Sequence, residues 1–90
     1  MSKRGKLEII RDILKTIQGA HKIKFTPLLR KSNISSNRFS KYYEEIKKKE
    51  FIKEEIDEKG KSKKIILTKR GMEYLEKYQT IINFIEEFEL

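Results

Sequence analysis

No cysteine occurs in the 90 residues, so the chain can form neither a disulfide nor a thiolate metal site. A single histidine, His21, cannot build a zinc site and leaves little for imidazole catalysis. No apolar run reaches the roughly 18 residues that a bilayer span requires, which excludes a membrane protein of that kind. The opening Met1-Ser2-Lys3-Arg4-Gly5-Lys6 has no apolar signal core behind it, so the expectation is a cytoplasmic protein. Also lacking are a glycine-rich phosphate cradle and a nucleophile–base pair. The chain is therefore expected to be no enzyme, with no catalytic residue, cofactor, resident metal or small-molecule ligand. Valine is missing and alanine occurs once. Charged residues, mostly Lys and Glu, reach 40% while Asn and Gln are few. That balance fits a protein from a very hot environment, and an AT-rich coding sequence would produce the same bias.

What the chain has is positive charge. There are 22 Lys and Arg against 14 Asp and Glu, for a formal charge of +8 and a pI near 9.7. A small basic protein favours a polyanion, most often nucleic acid. The charge is unevenly placed. Residues 1–70 carry 21 basic and 9 acidic side chains, net +12, whereas residues 71–90 carry 1 basic and 5 acidic, net −4. An anion-binding body and an acidic tail are separate tasks within one domain. Ninety residues bury only a modest core, so a partner subunit would add stability.

Leu7, Ile10, Leu14 and Ile17, with Ile13 beside them, make one apolar stripe and predict a first helix over about 6–18, stopped by Gly19. Lys22-Ile23-Lys24-Phe25 alternates as a short strand does. Thr26-Pro27 then reads as cap and first residue of a second helix, anchored by Leu28 and Leu29 and ending near Ser32-Asn33. Ile34 occupies the staple position before a third helix capped by Ser35 or Ser36. From Ser36 to about Lys49, Phe39, Tyr42, Tyr43 and Ile46 share one face. Two β-rich runs, 51–56 and 63–67, flank the turn Asp57-Glu58-Lys59-Gly60-Lys61-Ser62 and predict a hairpin. Thr68 caps a last helix to about Phe88, whose apolar stripe is wider than one packing contact requires. The predicted fold is mainly α with a small β-hairpin: a winged helix-turn-helix with an extended C-terminal dimerisation helix. It is one domain over 1–90, with a basic arm at 1–5 (extended by Lys6), a body at 6–70 and the C-terminal helix at 69–88. No internal repeat, linker or low-complexity stretch is present.

The third helix carries the functional signal. Its buried face is aromatic, and its other face offers small polar and cationic groups suited to the DNA major groove. Arg pairs with guanine and Asn with adenine, so Ser36, Asn37, Arg38 and Lys41 are the candidate readers. Glu44 and Glu45 oppose phosphate contact, but they follow the two turns that reach base edges. In the hairpin, Lys59, Lys61, Lys63 and Lys64 are candidate phosphate contacts; the competing reading is that they protect a strand edge or pair with Glu54, Glu55, Asp57 and Glu58. Those four carboxylates fit no calcium-loop pattern and read as incidental charge. Tyr42 and Tyr43 read as core, with a hydroxyl of one available to a phosphate.

Several phrases resemble the small archaeal winged-helix proteins of the ten-kilodalton chromatin-protein and transcription-regulator kind. They are Lys6-Leu7-Glu8-Ile9-Ile10-Arg11-Asp12-Ile13-Leu14, then Asn33-Ile34-Ser35 with Phe39 and Lys41-Tyr42-Tyr43, then Phe51-Ile52, then Leu67-Thr68 and Gly71. The resemblance spans about residues 6–85. It implies a homodimer held by antiparallel pairing of the last helices, with two bodies on double-stranded DNA. It places the recognition role on Ser36, Asn37, Arg38 and Lys41, the wing role on 59–64, and the dimer role on Tyr74, Tyr78, Ile81, Ile82, Ile85 and Phe88. An archaeal cell or a virus-infected archaeal host follows as the setting, with the protein at the nucleoid. The chain departs from the pattern in three places. Its last helix is only about 20 residues, its wing is longer and more basic, and Glu50 stands where a glycine usually ends the recognition helix.

The resulting expectation is a sequence-specific, homodimeric transcription regulator. The alternatives are an architectural chromatin protein without sequence preference and a winged helix used as a protein-interaction module. Exposed aromatics for stacking single strands are lacking, which disfavours RNA.

Overall fold

A computed structural model describes residues 5–90. Its elements run α1 (Lys6–Ala20), α2 (Phe25–Ser32), α3 (Ser36–Lys48), β1 (Ile52–Ile56), β2 (Lys63–Leu67) and α4 (Lys69–Glu87). The basic arm lies mostly outside the described residues; of its candidate contacts only Lys6 falls within them, in the first turn of α1. No helix among the described residues is long and apolar enough to cross a membrane.

The core joins all three leading helices to the hairpin. Ile9, Ile10, Ile13, Leu14 and Ile17 from α1 meet Leu28 from α2, Phe39, Tyr43 and Ile46 from α3, and Ile52 and Ile65 from the hairpin. Burying each such side chain contributes roughly 1.5–3 kcal/mol. The stripe of α1 faces the core as its periodicity predicts, with one shift of phase. Ile9 is buried while Leu7 is 60% exposed. Ile9 and Ile13 lie one turn apart, and the arc of α1 that meets its neighbours is centred between them and Ile10, away from Leu7.

The short strand predicted over 22–25 is reduced to one bridge, Ile23 to Ile65. Its backbone bonds, Ile23 N–H to Ile65 O at 3.1 Å and Ile65 N–H to Ile23 O at 2.8 Å, add a third edge beside the antiparallel β1–β2 pair. Phe25 has left the strand for the first turn of α2. Its ring meets Phe39 and Tyr43 edge-on, with centroids 5.2 and 5.1 Å away, and that packing draws the helix start back before Thr26. Pro27 is still harmless there, because a first-turn amide has no intrahelical acceptor.

α1 runs through Gly19, the expected stop, to Ala20 and ends at His21, φ 65; two further positive-φ residues set the next corners. Asn33, at φ 58, ends α2 in the turn before α3. Glu50, at φ 63, makes the corner after α3 in the region that favours glycine, and a side chain occupies it all the same.

Thr68 fastens that corner to α4. Its hydroxyl donates to Glu50 O at 2.6 Å and accepts the Gly71 N–H at 3.1 Å, while its own N–H donates to Phe51 O at 3.0 Å. The phrase Leu67-Thr68 followed by Gly71 is thus a cap and a close approach in one. A Cβ on Gly71 would collide with Phe51 O and stand 2.6 Å from Leu67 Cδ1.

α4 then crosses α1. The Tyr74 hydroxyl donates to Leu7 O at 2.8 Å, and the Arg11 guanidinium lies 5.1 Å from the Tyr78 ring centre. Past Tyr78 the helix leaves the body, which lengthens the molecule to 52 Å against 27 and 21 Å across.

Candidate nucleic-acid interface

α3 is built to present one face. The Ser35 hydroxyl accepts the Arg38 N–H at 3.3 Å, an N-cap that fixes the first turn. Phe39, Tyr43 and Ile46 are buried and Tyr42 is half-buried, so the helix cannot roll. Ser36, Asn37, Arg38, Ser40 and Lys41 are all exposed as a consequence. Among the described residues no ion pair holds Arg38 or Lys41, which border a shallow depression with Tyr42 and Glu45.

The carboxylates of α3 and the wing are largely answered from within. Glu45 receives Lys6 at 2.7 Å and Lys49 at 3.1 Å, and these two bonds hold its pKa below the usual range. Glu54 on β1 is the centre of a second cluster. Its Oε2 accepts the Tyr43 hydroxyl at 2.5 Å, while Oε1 faces Lys47 at 3.1 Å and Lys63 at 3.6 Å. The tyrosine bond chiefly, with Lys47 and Lys63 adding to it, lowers the Glu54 pKa despite partial burial. Burial, then the Glu54 bond, pushes the Tyr43 hydroxyl far above its ordinary value. Glu44 stays exposed on the helix. Glu54 therefore corrects the reading of the hairpin carboxylates as incidental charge. Its role was hidden because residues 11 apart in sequence had to meet across the corner at Glu50.

The wing's turn is ordered by Asp57, whose Oδ1 accepts the Lys61 N–H at 2.9 Å, and by Gly60 at φ 68. Lys59, Lys61 and Lys64 are exposed, and no ion pair among the described residues engages them. Lys63, the fourth wing candidate, faces Glu54 as described. Glu55 pairs with Lys22 at 3.3 Å. Pairing with a hairpin carboxylate therefore accounts for Lys63, leaving Lys59 and Lys61 at the tip and Lys64 on β2 directed to solvent.

The six C-terminal candidates divide into two sets. Tyr74 and Tyr78 stack on each other at 6.2 Å and rest on their own body through Leu7, Arg11 and Phe51. Burial, chiefly, pushes the Tyr74 hydroxyl up to about 12. Ile82 is half-buried, while Ile81, Ile85 and Phe88 are exposed. Phe84 joins them, 54% exposed and packed only on Phe88 at 4.9 Å among the ring contacts.

No curated protein sequence matches the chain. Among solved structures it is similar to Sso10a-2, a DNA-binding protein from Sulfolobus solfataricus, with TM-score 0.76 and 21% identity over 96% of this chain and 86% of that one. It is also similar to a point mutant of MepR from S. aureus bound to an oligodeoxyribonucleotide, with TM-score 0.72 and 16% identity over 89% of this chain and 60% of that one. A MarR-family transcriptional regulator from Silicibacter pomeroyi matches with TM-score 0.68 and 12% identity over 94% of this chain and 56% of that one. The chain thus spans 60% and 56% of the length of these two proteins. At these identities the likeness is one of fold. A family model for the winged helix-turn-helix matches residues 3–86, nearly the whole sequence. With its capped third helix, its hairpin and its closing helix in that order, the chain belongs to the winged helix-turn-helix family.

Proposed function

We propose that this protein is a transcription regulator that binds double-stranded DNA as a homodimer, with α3 in the major groove and the wing on the adjacent backbone or minor groove. The observation that carries the reading is the face of α3. Its first two turns expose Ser36, Asn37, Arg38 and Lys41 together, with both cations unpaired among the described residues and the nearby Glu45 already neutralised. Arg and Asn supply paired donors and acceptors matched to base edges, which favours sequence-specific over purely architectural binding. Lys59, Lys61 and Lys64 add sequence-independent attraction for phosphates. The oligonucleotide bound to the similarly folded MepR mutant supports the same partner.

Dimerisation rests on Ile81, Phe84 and Ile85 of α4 and on Phe88 at its C-cap. These apolar groups extend past the body, where a second α4 running antiparallel would bury them on both chains. Two-fold symmetry then sets DNA half-sites about one helical turn apart, or a multiple. Selecting bound duplexes from a random pool at two salt concentrations tests the whole reading. A regulator enriches a two-fold-related sequence that persists at the higher salt. Recovery of unenriched DNA would instead make the protein a coating protein, and recovery of none would make it a protein-interaction module.

A further inference from the structure

Between α3 and the wing lies an open cleft of about 310 Å³, with Phe25 and Ile65 at its apolar side and Ser40, Glu44, Lys47, Glu54 and Lys63 in its polar lining; Glu44 is exposed at the cleft and opposes an anion there, against the two lysines. Two ammonium groups from different elements converge there on one oxygen, Glu54 Oε1, at 3.1 and 3.6 Å. The other carboxylate oxygen is held separately by the Tyr43 hydroxyl. Both lysine side chains remain about half exposed, at 46% and 57%, whereas Glu54 is only 17% exposed. The lysines are therefore free to turn outward while the carboxylate stays anchored.

We propose that Glu54 is an internal stand-in for a DNA phosphate: it holds Lys47 and Lys63 in the free protein, and one backbone phosphodiester at the cleft takes them over in the complex. The proposal rests on the DNA-binding reading above and deepens it. Two cations that already share one carboxylate oxygen can share a phosphate oxygen with small changes of rotamer. The Ser40 hydroxyl on the same cleft is a further donor for that phosphate. The anchor from Tyr43 keeps Glu54 in place once its lysines have left.

The exchange has a signature in salt dependence. Neutralising a phosphate releases a condensed cation and steepens the slope of log K against log salt by about 0.9. In the wild type the Glu54 charge stays beside the phosphate and opposes its neutralisation, so the cleft adds less to the slope than its two lysines would without it. Glu54→Gln keeps a side-chain acceptor for Tyr43 and removes the competing charge. Its slope steepens by up to about 0.9, which is up to about 3.5-fold more affinity lost between 50 and 200 mM salt. Its affinity at the lower salt rises above wild type.

The experiment titrates a random-sequence duplex with four chains: wild type, Glu54→Gln, Lys63→Gln, and the double variant. Circular dichroism at the working temperature establishes that each is folded. The expected result is a small effect of Lys63→Gln alone and a loss of the Glu54→Gln gain in the double variant. A merely structural Glu54 predicts instead a weaker or unchanged Glu54→Gln, with Lys63→Gln acting equally in both backgrounds; that result overturns the proposal. Wild-type binding without a Glu54→Gln gain removes this inference alone. If neither chain binds at low salt, the DNA-binding reading falls with it. Binding by Glu54→Gln but not wild type supports the stand-in where the double variant loses it, and overturns the stand-in where the double variant keeps it.

Discussion

Replacing Gly71 with alanine tests the joint on which the domain's closing helix rests. In an open helical position the change would help, since alanine exceeds glycine in helix propensity by about 1 kcal/mol. Here the added Cβ meets the Phe51 carbonyl oxygen and approaches Leu67 Cδ1 to 2.6 Å and Cγ to 3.1 Å. The leucine can turn, but the carbonyl cannot easily retreat, because it accepts the Thr68 N–H at 3.0 Å. Moving it strains the same corner that Glu50 makes with its positive φ. Overpacking of this kind costs about 3 kcal/mol at its upper range, which leaves a net loss of about 2 kcal/mol. For a domain of this size that lowers Tm by about 8–16 °C. Gly19 supplies the internal control: it lies near the end of α1 and a Cβ there meets nothing within 4 Å. Gly19→Ala should leave stability unchanged or raise it by up to about 1 kcal/mol. Urea unfolding followed by circular dichroism, at one fixed protein concentration, measures both. A Gly71→Ala chain as stable as wild type would refute the close approach of α4 to the corner after α3.

Glu50→Gly should stabilise the fold by about 1 kcal/mol, the strain relieved when a left-handed residue loses its Cβ; an unchanged or lower urea midpoint would count against that backbone. Acid should weaken the fold through Glu54 and Glu45, whose folded pKa values are lowered. Their contribution is present above the ordinary carboxylate range and is lost as pH falls through the lowered values. The stability of Glu54→Gln should therefore fall less steeply with acid than wild type, and parallel curves would remove Glu54 from that account. Phe84→Lys, at a position 54% exposed within its own chain, should convert the proposed dimer to monomer in sedimentation equilibrium with little loss of helix. A variant that remains dimeric would move the interface off this end of α4.

Local chemistry made most of the fold legible. Ser35 and Thr68 announce two helix starts because capping needs only neighbours in sequence, and both side chains cap as expected. The Phe39, Tyr43 and Ile46 face follows from the helical repeat alone. What escaped sequence depends on distant partners. Phe25 joined α2 because two rings from α3 receive it, and no local pattern encodes that. Leu7 fits the stripe of α1, yet its neighbours cover Ile9 instead. On the candidate interface, the identity of the exposed α3 residues was readable, since burial of one face leaves the other. The pairing of Glu54 with Tyr43, Lys47 and Lys63 was not, because it forms only when the corner at Glu50 folds the wing back beside α3. Tyr74 and Tyr78 show the same limit: a wide stripe on α4 does not say how much of it the body itself covers.

The central claim is that α3 reads bases while the wing reads charge, and Arg38→Ala beside Lys61→Ala tests it most directly. Each variant is titrated against the selected duplex and against duplexes altered one base pair at a time. Arg38→Ala should cost roughly 1–3 kcal/mol on the selected duplex and flatten the preference at one base position. Lys61→Ala should weaken every duplex alike and reduce the salt slope by about 1. Uniform losses from Arg38→Ala across all sequences would contradict the claim and leave α3 as one more phosphate contact.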